Sequence, residues 1–144
     1  VVNHAVKFLE KKEKIKFDYI MMLQPTSPYR NAKHIDEAIK KFLKEKNDSL
    51  ISIKKQDYPP WWMFILDKSK LGQFLKFKNK NVFNLERQEF PKLFRPNGAI
   101  YISKRKVLYK GNLINPKSCG YYLMNDRSSI DIDNIIDLKV AENI

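Results

Sequence analysis

Five apolar residues, Tyr19-Ile20-Met21-Met22-Leu23, run without a break into Gln24-Pro25-Thr26-Ser27-Pro28-Tyr29-Arg30. A short continuous apolar run predicts a strand buried on both faces, the habit of parallel sheets. Pro25 and Pro28 exclude helix and stiffen the backbone at the C-terminal end of that strand. Gln24, Thr26, Ser27 and Arg30 then project hydrogen-bonding groups from a rigid frame. In open α/β sheets, that end is where ligands sit. An ordinary strand-to-helix turn punctuated by Ser and Pro is the plainer alternative.

The flanking periodicities extend this start. Val2, Ala5, Val6 and Leu9 recur at helical spacing within Val1–Lys16, and Ile35, Ala38, Ile39, Phe42 and Leu43 do so within Lys33–Lys46, where Asn47 offers a stop. Ser49–Ile53 reads as a strand, giving the helix–strand–helix–strand rhythm of a parallel sheet. Ala99–Ser103 and Gly120–Met124 read as further strands, and Lys104–Lys110 as a short helix. Asn134 can cap a last helix, Ile135–Glu142, made amphipathic by Ile136, Leu138 and Val140.

Between residues 54 and 96 the rhythm breaks. Tyr58-Pro59-Pro60-Trp61-Trp62-Met63-Phe64 crowds aromatics and prolines together, Leu66–Phe77 suits a hairpin, and Asn79–Glu89 is polar. This stretch reads as an insertion with little core of its own. A monomer rarely leaves such an aromatic patch uncovered, although an aromatic mini-core under a long loop would also satisfy it.

Composition sets outer bounds. At 144 residues, 43% hydrophobic and 12% aromatic, the chain is one globular domain's worth of sequence. No apolar run approaches the ~18 residues of a membrane span. The single cysteine, Cys119, excludes an internal disulfide and reads as a packing residue in a reducing cytoplasm. The first residues lack the pattern of a secretory signal. The formal charge of +12 raises a nucleic-acid reading. Yet only five of the 28 basic residues are Arg, the side chain base readout prefers, and the lysines are scattered rather than striped. Such a balance still steers anionic small substrates.

Two pairs of residues could carry chemistry. Asp131 and Asp133 are two apart, so an extended backbone turns both carboxylates to one side while Ile130 and Ile132 face the other. Paired hard oxygens suit Mg²⁺; acidic residues at the start of a helix are the alternative. Arg87 and Arg95 offer forks for carboxylate or phosphate, or else rim salt bridges. Asn97-Gly98 is a natural tight turn, which would make Asn97 structural. His4 and His34 have no companion at metal spacing, and no Ser/His/Asp or Cys/His constellation is legible.

Three blocks, Leu23–Arg30, Arg87–Ile102 (Arg-Gln-Glu-Phe-Pro-Lys-Leu-Phe-Arg-Pro-Asn-Gly-Ala-Ile-Tyr-Ile) and Ser129-Ile130-Asp131-Ile132-Asp133 with Asp137-Leu138 and Ala141-Glu142, follow one another in a familiar order and spacing. From about Asp18 to the end of the chain they resemble the acylneuraminate cytidylyltransferases, or CMP-sialic acid synthetases. The resemblance implies a partial Rossmann-like nucleotidyltransferase α/β fold, a mostly parallel sheet with flanking helices. It also implies a protruding dimerisation insertion at 54–96 within one domain, 1–144. The implied reaction joins CTP and an acidic nine-carbon sugar into CMP-sugar and pyrophosphate in a cytoplasmic homodimer. The family pattern puts Asp131 and Asp133 on Mg²⁺ beside the α-phosphate and Gln24 on the sugar. It puts Arg87 on the acidic sugar across the dimer interface, and it has Arg95 and Asn97 lining the site.

Two departures set further expectations. Family members open with a basic, glycine-containing loop that cradles the triphosphate. Here the four glycines are Gly72, Gly98, Gly111 and Gly120, and position 1 is not Met. The N-terminal nucleotide half, roughly a third of such a domain, is therefore expected to lie outside this sequence, leaving the 144 residues inactive alone. Trp61-Trp62 stand where sialic-acid-specific members carry a Lys, which points to another nonulosonate, of legionaminic or pseudaminic type. A non-catalytic dimerisation fragment and a Lys-rich nucleic-acid-binding module remain as alternatives. Salt-dependent binding to unrelated oligonucleotides would mark the latter.

Overall fold

The computed structural model describes residues 1–67, 70–78 and 81–144. In chain order its elements are α1 (Val2–Glu13), β1 (Tyr19–Met22), α2 (Ala32–Glu45), β2 (Ser49–Gln56), β3 (Phe64–Asp67), β4 (Lys70–Gln73), β5 (Leu93–Lys104), α3 (Arg105–Leu108), β6 (Cys119–Leu123) and α4 (Ile135–Glu142), with short 3-10 turns between. They form two compact units, Val1–Lys54 with Pro96–Ile144, and Lys55–Arg95.

In the first unit the helices begin and end on local chemistry. Asn31 caps α2 by accepting from His34 N–H at 3.2 Å, while His34 Nδ1 accepts from Asn31 N–H at 3.2 Å. This reciprocal cap gives His34 a structural role. The helix stops at Lys46, in the left-handed region at φ 56°, one residue before the expected Asn47. Asn134 caps α4 as expected, accepting from the N–H groups of Ile136 and Asp137.

The sheet corrects the expectation of mostly parallel strands. Its order is β1-β5-β2-β6. The β1 strand runs antiparallel to β5, with Tyr19 opposite Lys104 and Met22 opposite Tyr101. Lys104 N–H donates to Asp48 O at one end of β5, and the Ser52 hydroxyl reaches Ile100 O nearer the other, so β2 and β5 are also antiparallel. Only β2 and β6 pair in parallel, Ser49 opposite Cys119 and Ile53 opposite Leu123. The sheet is therefore mixed and mostly antiparallel. The helical crossover through α2 does set β1 and β2 in the same direction, since both oppose β5. What the periodicity cannot reveal is that β5, returning after the 55–95 excursion, wedges between them.

In the described sheet β1 is an edge strand and not one buried on both faces. Tyr19 is 50% exposed, and only Ile20 of this strand is fully buried. The main core joins Ala38 and Phe42 of α2 to Leu50 of β2, Ala99, Ile100 and Ile102 of β5, and Met124. Ala38 and Phe42 are four residues apart, one turn up the same helix face. Each large side chain so buried contributes about 1.5–3 kcal/mol. A second cluster packs Val6 of α1 against Ile20 and Leu108, with Phe17 and Leu113 beside it. In α4, however, Ile135, Ile136, Leu138 and Val140 are exposed and only Ala141 is buried, so the expected apolar face does not pack inward.

The second unit has a core of its own, contrary to expectation. Trp61 stacks on Phe90 at 5.3 Å, Trp62 meets the same ring edge-on at 5.4 Å, and Phe77 lies 5.1 Å from it. Trp62 Nε1 donates to Val82 O at 2.9 Å, and Val82 is fully enclosed. The expected hairpin is present as β3 and β4, with Phe64 opposite Gln73. Residues 68–69 of that hairpin and 79–80 of the polar stretch lie outside the described residues.

One ionic cluster ties α1 to α3. The Glu10 carboxylate accepts from Arg105 Nε at 2.7 Å and Nη2 at 3.0 Å, from the Tyr109 hydroxyl, and from Phe17 N–H at 3.1 Å. The Arg105 and Tyr109 hydrogen bonds hold the Glu10 carboxyl down to about 2, against 4.5 for an ordinary glutamate. A carboxyl depressed on folding stabilises above its unfolded pKa, and that contribution fades as pH falls toward the folded one. E10Q is therefore expected to be less stable than the parent at neutral pH. In urea titrations the gap should close between about pH 4.5 and 2, and a constant gap would refute the assignment.

Candidate functional site

Three segments of the first unit converge where β1 ends and β5 begins its run through the sheet. After β1 the chain turns tightly, with Ser27 N–H donating to Gln24 O and Arg30 N–H to Ser27 O. The half-buried Arg30 guanidinium locks this loop to β5: its Nη1 donates to Gln24 O at 2.7 Å and to Ala99 O at 3.0 Å. The 130–133 segment docks on the same loop, Ile132 N–H donating to Thr26 O at 2.9 Å, and the Tyr29 hydroxyl donates to Ala141 O.

Gly98 sits at the meeting point with φ +79°, a conformation that favours glycine. A Cβ placed there would lie 2.3 Å from Gln24 Oε1 and 3.3 Å from Asp131 Oδ2. The missing side chain therefore lets the Gln24 amide close over the backbone beside a carboxylate from more than thirty residues downstream. Among the described residues Asp131 Oδ1 is buried with no hydrogen-bond partner, as are Asn3 Oδ1, Ser27 Oγ and Ser103 Oγ. Buried polar atoms are rarely left so.

Asn97, next to Gly98, is placed differently from a surface turn residue. It is 2% exposed, and its side chain is fully engaged. Oδ1 accepts from Ser52 Oγ at 2.6 Å and Ala99 N–H at 3.2 Å, and Nδ2 donates to Ser129 Oγ at 2.8 Å and faces Met124 Sδ at 3.3 Å. The amide ties β2 and β5 to the residue two before Asp131. Asp133 is exposed. The cap of α4 is made by Asn134 and Asp137, whose Oδ2 accepts from the N–H groups of Asp133 and Asn134, so helix capping does not use the Asp131 or Asp133 carboxylates.

Thus Gln24, Asn97 and Asp131 come together, with Asp133 two residues beyond. Among the described residues no three His, Cys, Asp or Glu side chains gather, so any cation here would rest on this Asp pair plus ligand oxygens. Tyr101 is a neighbour the sequence did not flag. Burial first, and then the Asp131 charge, push its hydroxyl above the usual phenol range, so it stays a proton donor. Nothing in the sequence links the two residues; the Ile132–Thr26 bond brings them near.

Arg87 and Arg95 belong to the second unit. Arg87 pairs with the Asp57 carboxylate, both about half exposed. Arg95 lies at the start of β5 with an exposed side chain. Trp61 and Trp62, expected to bear on sugar choice, have their rings committed to the aromatic core. No described helix is long and apolar enough to cross a membrane.

No family model matches the chain. Individual relatives do. Post-translational flagellin modification protein B of Campylobacter coli is 30% identical over 99% of this chain and 59% of its own length. N-acylneuraminate cytidylyltransferase of Escherichia coli O18:K1:H7 is 30% identical over 97% of this chain and 33% of its own. CMP-N,N'-diacetyllegionaminic acid synthase of Legionella pneumophila is 28% identical over 89% of this chain and 54% of its own. The chain thus spans a third to three fifths of the length of these curated relatives. At about 30% identity the chain is a distant homologue, across nearly its whole length, of the CMP-sialic acid synthetase and flagellin modification protein B family.

Proposed function

We propose that these residues form the sugar- and metal-binding part of a cytidylyltransferase that converts CTP and a nonulosonic acid to CMP-sugar and pyrophosphate. The observation that carries this reading is the unpartnered, buried Asp131 Oδ1 beside Gly98, with the Gln24 amide above the same glycine. Hard, unpaired carboxylate oxygens fit Mg²⁺, which accepts one or two carboxylates and completes its shell with water and phosphate oxygens. Asp131 and Asp133 would hold it. Bound there, the ion supplies charge neutralisation for a phosphoryl centre.

The other roles belong to side chains. The Gln24 amide donates and accepts, so it suits the hydroxyl and acylamido groups of such a sugar. Tyr101 offers a proton donor beside Asp131. Arg87 and Arg95 offer planar forks for the sugar carboxylate or a phosphate. Asn97 works indirectly, by holding the strand and the Ser129 end of the acidic segment. The named relatives that make CMP-linked sugars include one acting on N,N'-diacetyllegionaminic acid, which keeps that sugar class open here.

Association follows from the second unit. With the Trp61 and Trp62 rings in the aromatic core, the exposed apolar surface keeps Tyr58, Met63 and Phe64 of the expected patch and adds Ile65, Leu66, Phe74 and Phe83, with Phe64 and Phe83 stacked 5.4 Å apart. A second copy meeting this patch about a two-fold axis is the default arrangement for a self-complementary surface.

Three measurements test the reading. Mn²⁺ substituted for Mg²⁺ is expected to broaden the backbone amide signals of Gly98 and residues 130–133, and D131N should remove the effect; broadening elsewhere alone would displace the site. Assayed as the full polypeptide in which it is made, the protein should release pyrophosphate from CTP with nonulosonic acids and not with neutral hexoses. D131N or D133N should then lower turnover about 100-fold or more, the order lost with one charge-stabilising group, with little change in melting temperature. Undiminished turnover in both variants would remove the pair from the site. Light scattering at about tens of micromolar should show a dimer, in the affinity range of a specific interface, and F64D should make it monomeric; a monomeric parent would refute the patch.

A further inference from the structure

The second unit contains a groove of about 310 Å³, and its charge pattern bears on Arg87. Lys55, Arg87 and Lys92 stand around it over an apolar floor that includes Phe90 and Pro91, while Asp57 is its one acid. That volume is at the small end for ligand sites, which are commonly apolar clefts with a few placed polar groups. The Arg87 fork is already occupied: Arg87 Nη2 donates to Asp57 Oδ1, thirty residues away in sequence. The chain's own carboxylate thus shows which chemistry this guanidinium accepts. The pair is also poorly protected, with Arg87 51% and Asp57 48% exposed. Exposed ion pairs contribute little, typically below about 1 kcal/mol, so an incoming anion displaces one at small cost.

We infer that Asp57 is a built-in competitor at Arg87, holding the guanidinium in place and yielding it only to a ligand that brings a carboxylate of its own. The inference rests on the reading of Arg87 as a contact for the sugar acid. It adds a specificity element: a neutral sugar cannot displace Asp57, whereas an acidic one exchanges one carboxylate for another. Lys55 and Lys92 line the same groove, so the charge released from Asp57 stays among cations.

The test titrates the full chain with N-acetylneuraminic acid and, separately, with its methyl ester, following the Arg87 Nε–H signal by NMR. The acid is expected to shift that signal and the ester to leave it unmoved. D57N should bind the acid about two- to fivefold more tightly, the factor that corresponds to losing a competing exposed ion pair, and should weaken the preference over the ester. D57S serves as the second variant should the amide of D57N still hold the fork, and R87Q, which lacks that signal and is followed by calorimetry, should lose the preference for the acid over the ester. If the acid moves Arg87 in the parent but both Asp57 variants bind equally or more weakly, Asp57 orients Arg87 and the inference fails while the reading of Arg87 stands. If Arg87 responds in none of the proteins, both fail together.

Discussion

The candidate site depends on one buried amide. Asn97 is enclosed where β2, β5 and the acidic segment meet, and each polar atom of its side chain has a partner. An amide buried so deeply is tolerable only when fully satisfied, because each lost partner leaves a group whose desolvation costs about 1–3 kcal/mol. The network therefore acts as a unit. Ser52 accepts from Ile100 N–H at 2.7 Å while donating to Asn97, so it holds β5 in register with β2. Ser129 fixes the start of the segment that carries Asp131. Moving any one of these shifts the carboxylate relative to Gly98.

Around that hub the site is assembled by backbone, which is why small residues matter. Gly98 permits the Gln24 amide to approach where a Cβ would collide at 2.3 Å, and its φ of +79° turns the strand so that Asn97 can point inward. Arg30 then uses one nitrogen to bind carbonyls from both the loop and β5. The loop's two prolines remove backbone donors and freedom together, so the guanidinium has only a pre-stiffened segment to hold. The polar groups of Gln24 and Asp131 are thus presented by a scaffold that does not have to rearrange.

Much of this was legible locally. The Asn134 cap, the α2 periodicity and the Pro-rich loop each rest on neighbours within a turn or two, and each appears in the structure near its expected bounds. The failures share a cause. The direction of β5 depends on the long detour, residues 57–92, between it and β2, so helix–strand alternation suggests a parallel sheet that β5 divides. Trp61 and Trp62 looked like an uncovered patch because their cover, Phe77 and Phe90, comes from much later in the chain. The exposed apolar residues of α4 show the same limit, since periodicity predicts a face but not what it meets. For the site, the Asp131–Asp133 spacing was visible, while Tyr101 and the Asp57–Arg87 pair required the fold.

The two ends of the sheet make the strongest argument about purpose. At one end Asp48 is held by Lys104 at 2.9 Å and Lys106 at 2.8 Å, and those hydrogen bonds, Lys106 first, take its carboxyl down to about 2. At the other end Asp131 forms no ion pair among the described residues and keeps one oxygen buried and unpartnered. A chain with 28 basic residues does not lack cations to pair with it. Burying an unpaired carboxylate oxygen is costly, and the same sequence neutralises Asp48 at the other end of the sheet. That contrast within one sheet is what the proposed reading of Asp131 as a ligand for a partner from outside the chain rests on.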